Sequence, residues 1–148
     1  MKSSNYTYYR YISRLYRLGK PYFDFLLKDA HLTSSQQYFL TGIMDHPGVT
    51  LSELSRIDHC DNATVTRGVR RLEDMEYVIR KTDENDARIS HLYPTEKSKS
   101  LWRQIKKARN QLNQVLTEGF NEQERALAED LLRRMSENAL LQKEKGFD

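Results

Sequence analysis

Residues 50–93 confine this chain to a narrow set of folds: TLSELSRIDHCDNATVTRGVRRLEDMEYVIRKTDENDARISHLY. Thr50-x-x-Glu53 reads as a capping box that opens a short helix through Leu51, Leu54 and Ile57. After a tight connection, Asp61 caps a second helix expected to run to about Met75 or Glu76. On that helix Val65, Val69 and Leu72 fall on one apolar stripe at helical spacing. Ala63, Arg67, Arg70 and Asp74 lie opposite, with Asn62 and Thr66 on the flank. A helix with an apolar back and a polar front is suited to insertion, and the major groove of duplex DNA is wide enough to admit one. Its amino end also offers unpaired amide hydrogens that favour a phosphate.

Tyr77–Thr82 and Arg88–Tyr93 follow as two strands joined by the polar loop Asp83–Ala87, since Val78, Ile79, Ile89 and Tyr93 favour extended backbone. Such a hairpin must pack against helices to persist. Upstream, residues 6–28 read as a helix with apolar positions at Ile12, Leu15, Leu18, Tyr22, Phe23 and Leu26. Pro21 is expected to bend or divide it, with Gly19 weakening the same spot. Thr33-x-x-Gln36 caps a further helix that turns Leu40, Ile43 and Met44 inward and ends at His46-Pro47-Gly48. Downstream, Thr95 opens a long helix with Leu101, Ile105, Ala108, Leu112 and Val115 in 4-3 steps. Gly119 is expected to end it, and Asn121-x-x-Glu124 starts a last helix with Leu127, Leu131 and Met135 on one side.

The fold class expected is therefore mainly α: a winged helix-turn-helix with a two-stranded β wing and N- and C-terminal dimerisation helices. Residues 1–32 form the first dimerisation segment, 33–94 the DNA-binding lobe and 95–148 the second dimerisation segment, in one compact unit overall. The apolar surface of the terminal helices exceeds what the lobe needs, which points to a homodimer of two-fold symmetry. Tyr6, Tyr8, Tyr9, Tyr11 and Tyr16 make the amino end unusually aromatic. That surface fits either a dimer core or an apolar ligand cleft with a few polar anchors.

Charge distribution qualifies the expected DNA contact. Residues 1–32 hold six Lys/Arg against two Asp/Glu, as do residues 94–118, so each segment carries +4. Residues 50–93 hold seven against nine, or −2, which argues against indiscriminate binding and for a few directed arginines. The lone Cys60 excludes an internal disulfide and fits packing between the two helices better than redox chemistry. His31, His46, His59 and His91 are scattered, so no spacing favours a metal. No cofactor is expected. No nucleophile is set against a base and no glycine-rich phosphate cradle is present, so an enzyme is not expected. Tyr6, Tyr9, Arg10 and Arg14 interrupt any signal-peptide pattern, and no apolar run could span a bilayer. A cytoplasmic location is the resulting expectation.

The run from Leu32 to Ser98 resembles the MarR family of transcriptional regulators, above all in DNATVTRGVRRLE at Asp61–Glu73, in D-x-R at Asp86 and Arg88, and in TEKS at Thr95–Ser98. The resemblance implies a homodimer of winged lobes binding double-stranded DNA at a pseudo-palindromic operator. It implies groove or phosphate contacts for Asn62, Thr64, Thr66, Arg67 and Arg70, and a wing arginine at Arg88 steadied by Asp86. It also implies repression of a nearby operon, relieved by a small aromatic or phenolic effector in a cleft to which Tyr11, Tyr16 and Tyr22 are assigned. The same contacts would serve an activator or dual regulator, and the −2 balance leaves room for a winged-helix protein-interaction module. Departures from the family pattern are Ala87 in place of a basic residue at the wing tip, Glu76 in place of a glycine, Asp58-His59 in place of Leu-Gly, and Ser98 in place of a glycine.

Overall fold

The computed structural model describes residues 7–146, so Tyr6 lies outside the described residues. Its elements are α1 (Thr7–Leu26), a 3-10 turn (Lys28–Ala30), α2 (Ser34–Asp45), β1 (Val49–Thr50), α3 (Leu51–Ile57), α4 (Asn62–Asp74), β2 (Val78–Thr82), β3 (Ser90–Pro94), α5 (Glu96–Leu116) and α6 (Glu122–Lys145). Contacts divide the chain into two compact units, one reaching to Leu112 and the other beginning at Asn113. The first holds α1 to β3 and most of α5; the second holds the end of α5 and α6.

Polar caps set where helices begin. Thr33, Thr50 and Asn121 each take a backbone N–H from the third residue ahead, and Gln36, Glu53 and Glu124 each return a bond to the capping residue's own N–H. All three expected capping boxes are present, and each satisfies donors that a helix start otherwise leaves open. Pro21 does not divide α1, which runs unbroken from Thr7 to Leu26. The ring removes one donor from the ladder, while Phe23 and Leu27 beyond it stay anchored in the core.

That core is assembled from one face of each element. Leu40 and Ile43 of α2, Leu54 of α3, Val65, Val69 and Leu72 of α4, Leu92 of β3 and Ile105 of α5 have no exposed surface. The stripe read on α4 is thus wholly buried. On α3 only Leu54 is enclosed; Leu51 is half-buried and Ile57 is exposed, because a seven-residue helix turns just one side chain fully inward. On α5 the seam is buried from Leu101 through Ala108 and fades at Leu112, and Val115 is exposed. A polar connection also crosses this apolar packing. The Arg109 guanidinium donates to buried Gln37 Oε1 at 2.8 Å and to Thr41 Oγ1 at 3.0 Å, tying α5 to α2.

The wing contains one more strand than expected. β1 pairs antiparallel with β3 through Val49 opposite Leu92 and Thr50 opposite His91, so the sheet order is β1-β3-β2. A two-residue strand leaves no alternation to read, and only the folded pairing reveals it. β2 pairs with β3 from Val78 opposite Pro94 to Thr82 opposite Ser90.

α4 lies close against α2 because Gly68 has no side chain. A methyl added there would sit 2.3 Å and 2.4 Å from two ring atoms of Phe39, itself 3% exposed. Gly68→Ala is therefore expected to destabilise the fold by roughly 1–3 kcal/mol through overpacking. Urea unfolding followed by Trp102 fluorescence measures this, and Phe39→Leu in the same chain should recover part of the loss.

Candidate nucleic-acid interface

The buried stripe of α4 fixes which residues its other side offers. Asn62, Thr66, Arg67 and Arg70 are exposed, and Thr64 is half-buried at the helix start. Asp61 caps this end with both carboxylate oxygens: Oδ1 accepts from Thr64 N–H at 2.8 Å and Oδ2 accepts from the Thr64 hydroxyl at 2.7 Å. The Thr64 hydroxyl bond, then its backbone bond, hold the Asp61 carboxyl below the usual carboxylate range. Arg67 in turn donates to Thr64 Oγ1 at 3.2 Å, so cap and guanidinium form one chain of contacts. Thr66 Oγ1 donates back to the Asn62 carbonyl at 2.7 Å. Both threonine hydroxyls thus have local partners of the kind these side chains commonly find within a helix, whereas Arg70 projects with its face open.

The connection between α3 and α4 is made by backbone and small groups. Cys60 N–H bonds to Ser55 O at 3.1 Å, Ser55 Oγ donates to Cys60 O, and the Cys60 thiol donates to Asp58 O at 3.3 Å. Cys60 is half-buried against the core.

At the wing, Asp83 organises the loop. Its Oδ1 accepts from the N–H groups of Asn85 and Asp86 at 2.8 Å and 3.0 Å, and its Oδ2 meets His91 Nε2 at 2.9 Å. His91, followed by the two backbone donors, keeps the Asp83 carboxyl below its ordinary value. Asp86 accepts from Arg88 N–H at 2.9 Å, but the Arg88 side chain is 95% exposed and its Nε stands 3.9 Å from Asp86. Asp86 therefore shapes the backbone that carries Arg88 and leaves the guanidinium in water.

Two further sets of contacts join wing and helix. Arg80 of β2 donates Nε and a terminal nitrogen to the two oxygens of Glu73 of α4, at 3.0 Å and 2.9 Å. This bidentate pairing raises the Arg80 pKa above its ordinary value and fixes a planar fork against a carboxylate. At the next corner Thr95 Oγ1 donates to Glu76 O and Tyr77 O, while Lys97 donates to Met75 O at 2.9 Å. Neither Glu73–Arg80 nor Asp83–His91 was singled out in the sequence. The order Asp83-x-Asn85-Asp86 carries a local turn signal, but both pairings depend on strand register and on how the wing packs.

Tyr11, Tyr16 and Tyr22 all lie on exposed α1, at 53%, 67% and 36% exposure. Tyr11 and Tyr22 point to nearly the same side, whereas Tyr16 lies about 140° round the helix from Tyr11. The three do not converge within this chain.

Comparison with known proteins agrees with this layout. Residues 32–90 match the profile of the MarR family. An uncharacterized HTH-type transcriptional regulator, YybA of Bacillus subtilis (strain 168), is 29% identical over 111 residues, covering 75% of this chain and 74% of that protein. A MarR transcriptional regulator from Methanosarcina mazei Go1 is 31% identical with a TM-score of 0.81, over 88% of this chain and 94% of that one. A MarR protein from Peptoclostridium difficile is 31% identical with a TM-score of 0.86, over 94% and 91% of the two chains. The chain belongs to the MarR family.

As a MarR-family chain it is a DNA-binding transcriptional regulator, and its α3–α4 pair with the three-stranded sheet is the family's winged helix-turn-helix. Among the described residues no helix is long and apolar enough to cross a membrane.

Two departures from the MarR pattern now have a backbone explanation. His59 and Glu76, both at positions where the family carries glycine, adopt left-handed conformations with φ of 50° and 61°. Both residues hold the left-handed conformation although they bear side chains, which costs conformational energy. Glu76→Gly is expected to stabilise the chain by roughly 0.5–1 kcal/mol, since relieved strain is partly offset by a more flexible unfolded state. A rise in melting temperature with unchanged helical circular dichroism is the expected readout.

Proposed function

We propose that the protein is a homodimeric repressor of a nearby operon that reads a pseudo-palindromic operator and is released by a small aromatic or phenolic compound. The observation that carries this reading is the contrast between the two sides of α4. Val65, Val69 and Leu72 are sealed in the core, while Asn62, Thr66, Arg67 and Arg70 face outward beside a wing tipped by exposed Arg88. α4 enters the major groove in this reading, and the wing approaches the adjoining backbone or minor groove.

Pairing of two chains is supported by apolar surface that a single chain leaves in water. On α1 this includes Tyr8, Tyr9, Leu15 and Leu18; in the second unit it includes Leu127, Leu131, Leu132 and Leu141. Two lobes reading successive half-sites would hold their recognition helices about 34–36 Å apart, one turn of the duplex. Repression follows from occluding polymerase. The aromatic α1 supplies surface for the effector, with Tyr11 and Tyr22 on one side and Tyr16 available only to a cleft completed by the second chain. Release requires that the effector bind unequally to two dimer spacings. An operator placed upstream of the promoter rather than across it would assign activation instead.

The test begins with duplexes selected by the protein from a random pool. Arg67→Ala is expected to weaken binding to the selected duplex by roughly 1–3 kcal/mol and to relax preference at one position. Arg70→Ala is expected to weaken all duplexes alike and flatten the salt dependence, as loss of a phosphate contact does. Equal affinity of the unsubstituted protein for selected and scrambled duplexes would overturn operator recognition. A monomer in sedimentation at working concentration would overturn the paired reading. Salicylate or a related aromatic acid added to the same assay is expected to release the duplex, and Tyr11→Ala should blunt that release.

A further inference from the structure

His91 of β3 sits between two hydrogen-bond acceptors from different parts of the fold. Its Nδ1 is 2.8 Å from the Gly48 carbonyl oxygen and its Nε2 is 2.9 Å from Asp83 Oδ2. Neither acceptor can donate: one is a backbone carbonyl, the other a carboxylate. A neutral imidazole carries one N–H and would turn a lone pair toward whichever oxygen the other nitrogen faces. Only the imidazolium, with two N–H groups, satisfies both contacts.

Both ends of this bridge matter to the wing. Gly48, with φ of 90°, forms the turn that enters β1, and its N–H bonds to Leu92 O at 2.7 Å. Asp83 begins the loop that presents Arg88 and holds the loop's Asn85 and Asp86 amides. The imidazolium thus fastens the wing loop to the turn on the far side of β3.

We propose that protonated His91 is a positioning residue for the wing, and that loss of its proton loosens the Asp83–Arg88 loop and weakens DNA binding. The proposal rests on the reading of the wing as a DNA contact. The charged and titratable groups around His91 favour the cation on balance. Asp83 faces it from the wing loop, and Glu53 acts on it from α3. Lys81 stands opposite it in the β2 register, but its ammonium lies 5.0 Å from the centre of the Tyr93 ring. The hydrogen bond His91 donates to Asp83, then the one it donates to the Gly48 carbonyl, raise its pKa above the ordinary value.

The sign follows from that direction. A raised histidine pKa means the bridge is complete below about pH 6.5 and is lost as pH rises through the folded-state value. Wing order, and affinity for DNA with it, should decline over the same interval. By linkage, DNA that requires the ordered wing must also raise the proton affinity of His91 in the complex.

The experiment measures duplex affinity of wild type, His91→Gln and Asp83→Asn from about pH 6 to about pH 9, using duplexes selected by the protein, with ring nitrogen NMR of His91 in the free protein. The wild type is expected to bind roughly fivefold more weakly at the alkaline end. His91→Gln, which keeps one donor and cannot titrate there, should lack that decline, and Asp83→Asn should move its midpoint to lower pH. Titration of the His91 ring at or below the ordinary histidine value would overturn the proposal. So would a ratio of wild-type to His91→Gln affinity that stays constant with pH while both bind. Absence of duplex binding by wild type at every pH, with the ring still titrating high, would instead mark failure of the operator reading and remove the coupling to DNA with it.

Discussion

The close approach of α4 to α2, made where Gly68 meets Phe39, is the constraint on which the presentation of α4's polar face depends. It lets Val65, Val69 and Leu72 sink fully into the core. Once that stripe is buried, helical geometry leaves the rotation of α4 no freedom, and Asn62, Thr66, Arg67 and Arg70 must face outward. A side chain at position 68 would push the helix away or tilt it, and the polar face would tilt with it. Interiors packed to crystalline density transmit such a shift instead of absorbing it.

Electrostatic contacts then extend this orientation outward. Asp61 fixes the amino end of α4 and passes order through Thr64 to Arg67. Glu73, near the other end of the helix, grips Arg80 and so binds the first wing strand. Thr95 and Lys97 close the corner where α4, β2 and α5 meet. Recognition helix and wing base are consequently joined at several points by side chains as well as by the chain itself. This explains how a segment with a net charge of −2 can serve a polyanionic partner. Glu73, Asp61 and Asp83 are occupied with internal donors, while Arg70 and Arg88 project from the surface.

Much of this architecture was legible in the residues because it is local. Capping boxes at Thr33, Thr50 and Asn121, the Asp61 cap and the Val65–Val69–Leu72 stripe each involve residues a few positions apart. What escaped was non-local or very short. The two residues of β1 carry no periodicity, and the Asp83–His91 and Glu73–Arg80 pairs need the strand register before they can be seen. Pro21 was misleading for a related reason: the local penalty is real, but packing of Phe23 and Leu27 keeps the helix on course. At the candidate site, the outward placement of Asn62, Thr66, Arg67 and Arg70 follows from helical period. The engagement of Thr64 and Thr66 in local bonds does not, because a hydroxyl's choice between backbone and solvent is made by rotamer.

The open position of Arg88 has an energetic consequence for any complex it joins. A guanidinium standing in solvent samples many side-chain conformers, and immobilising it forfeits about 2 kcal/mol of rotational freedom. Its net contribution is therefore discounted relative to an arginine already braced, as Arg67 is by Thr64. In return, a tether of that length can follow grooves of differing width without shifting the strands beneath it. In the proposed complex the wing tip would accordingly tolerate variation in duplex shape, leaving discrimination between sequences to the stiffer helix.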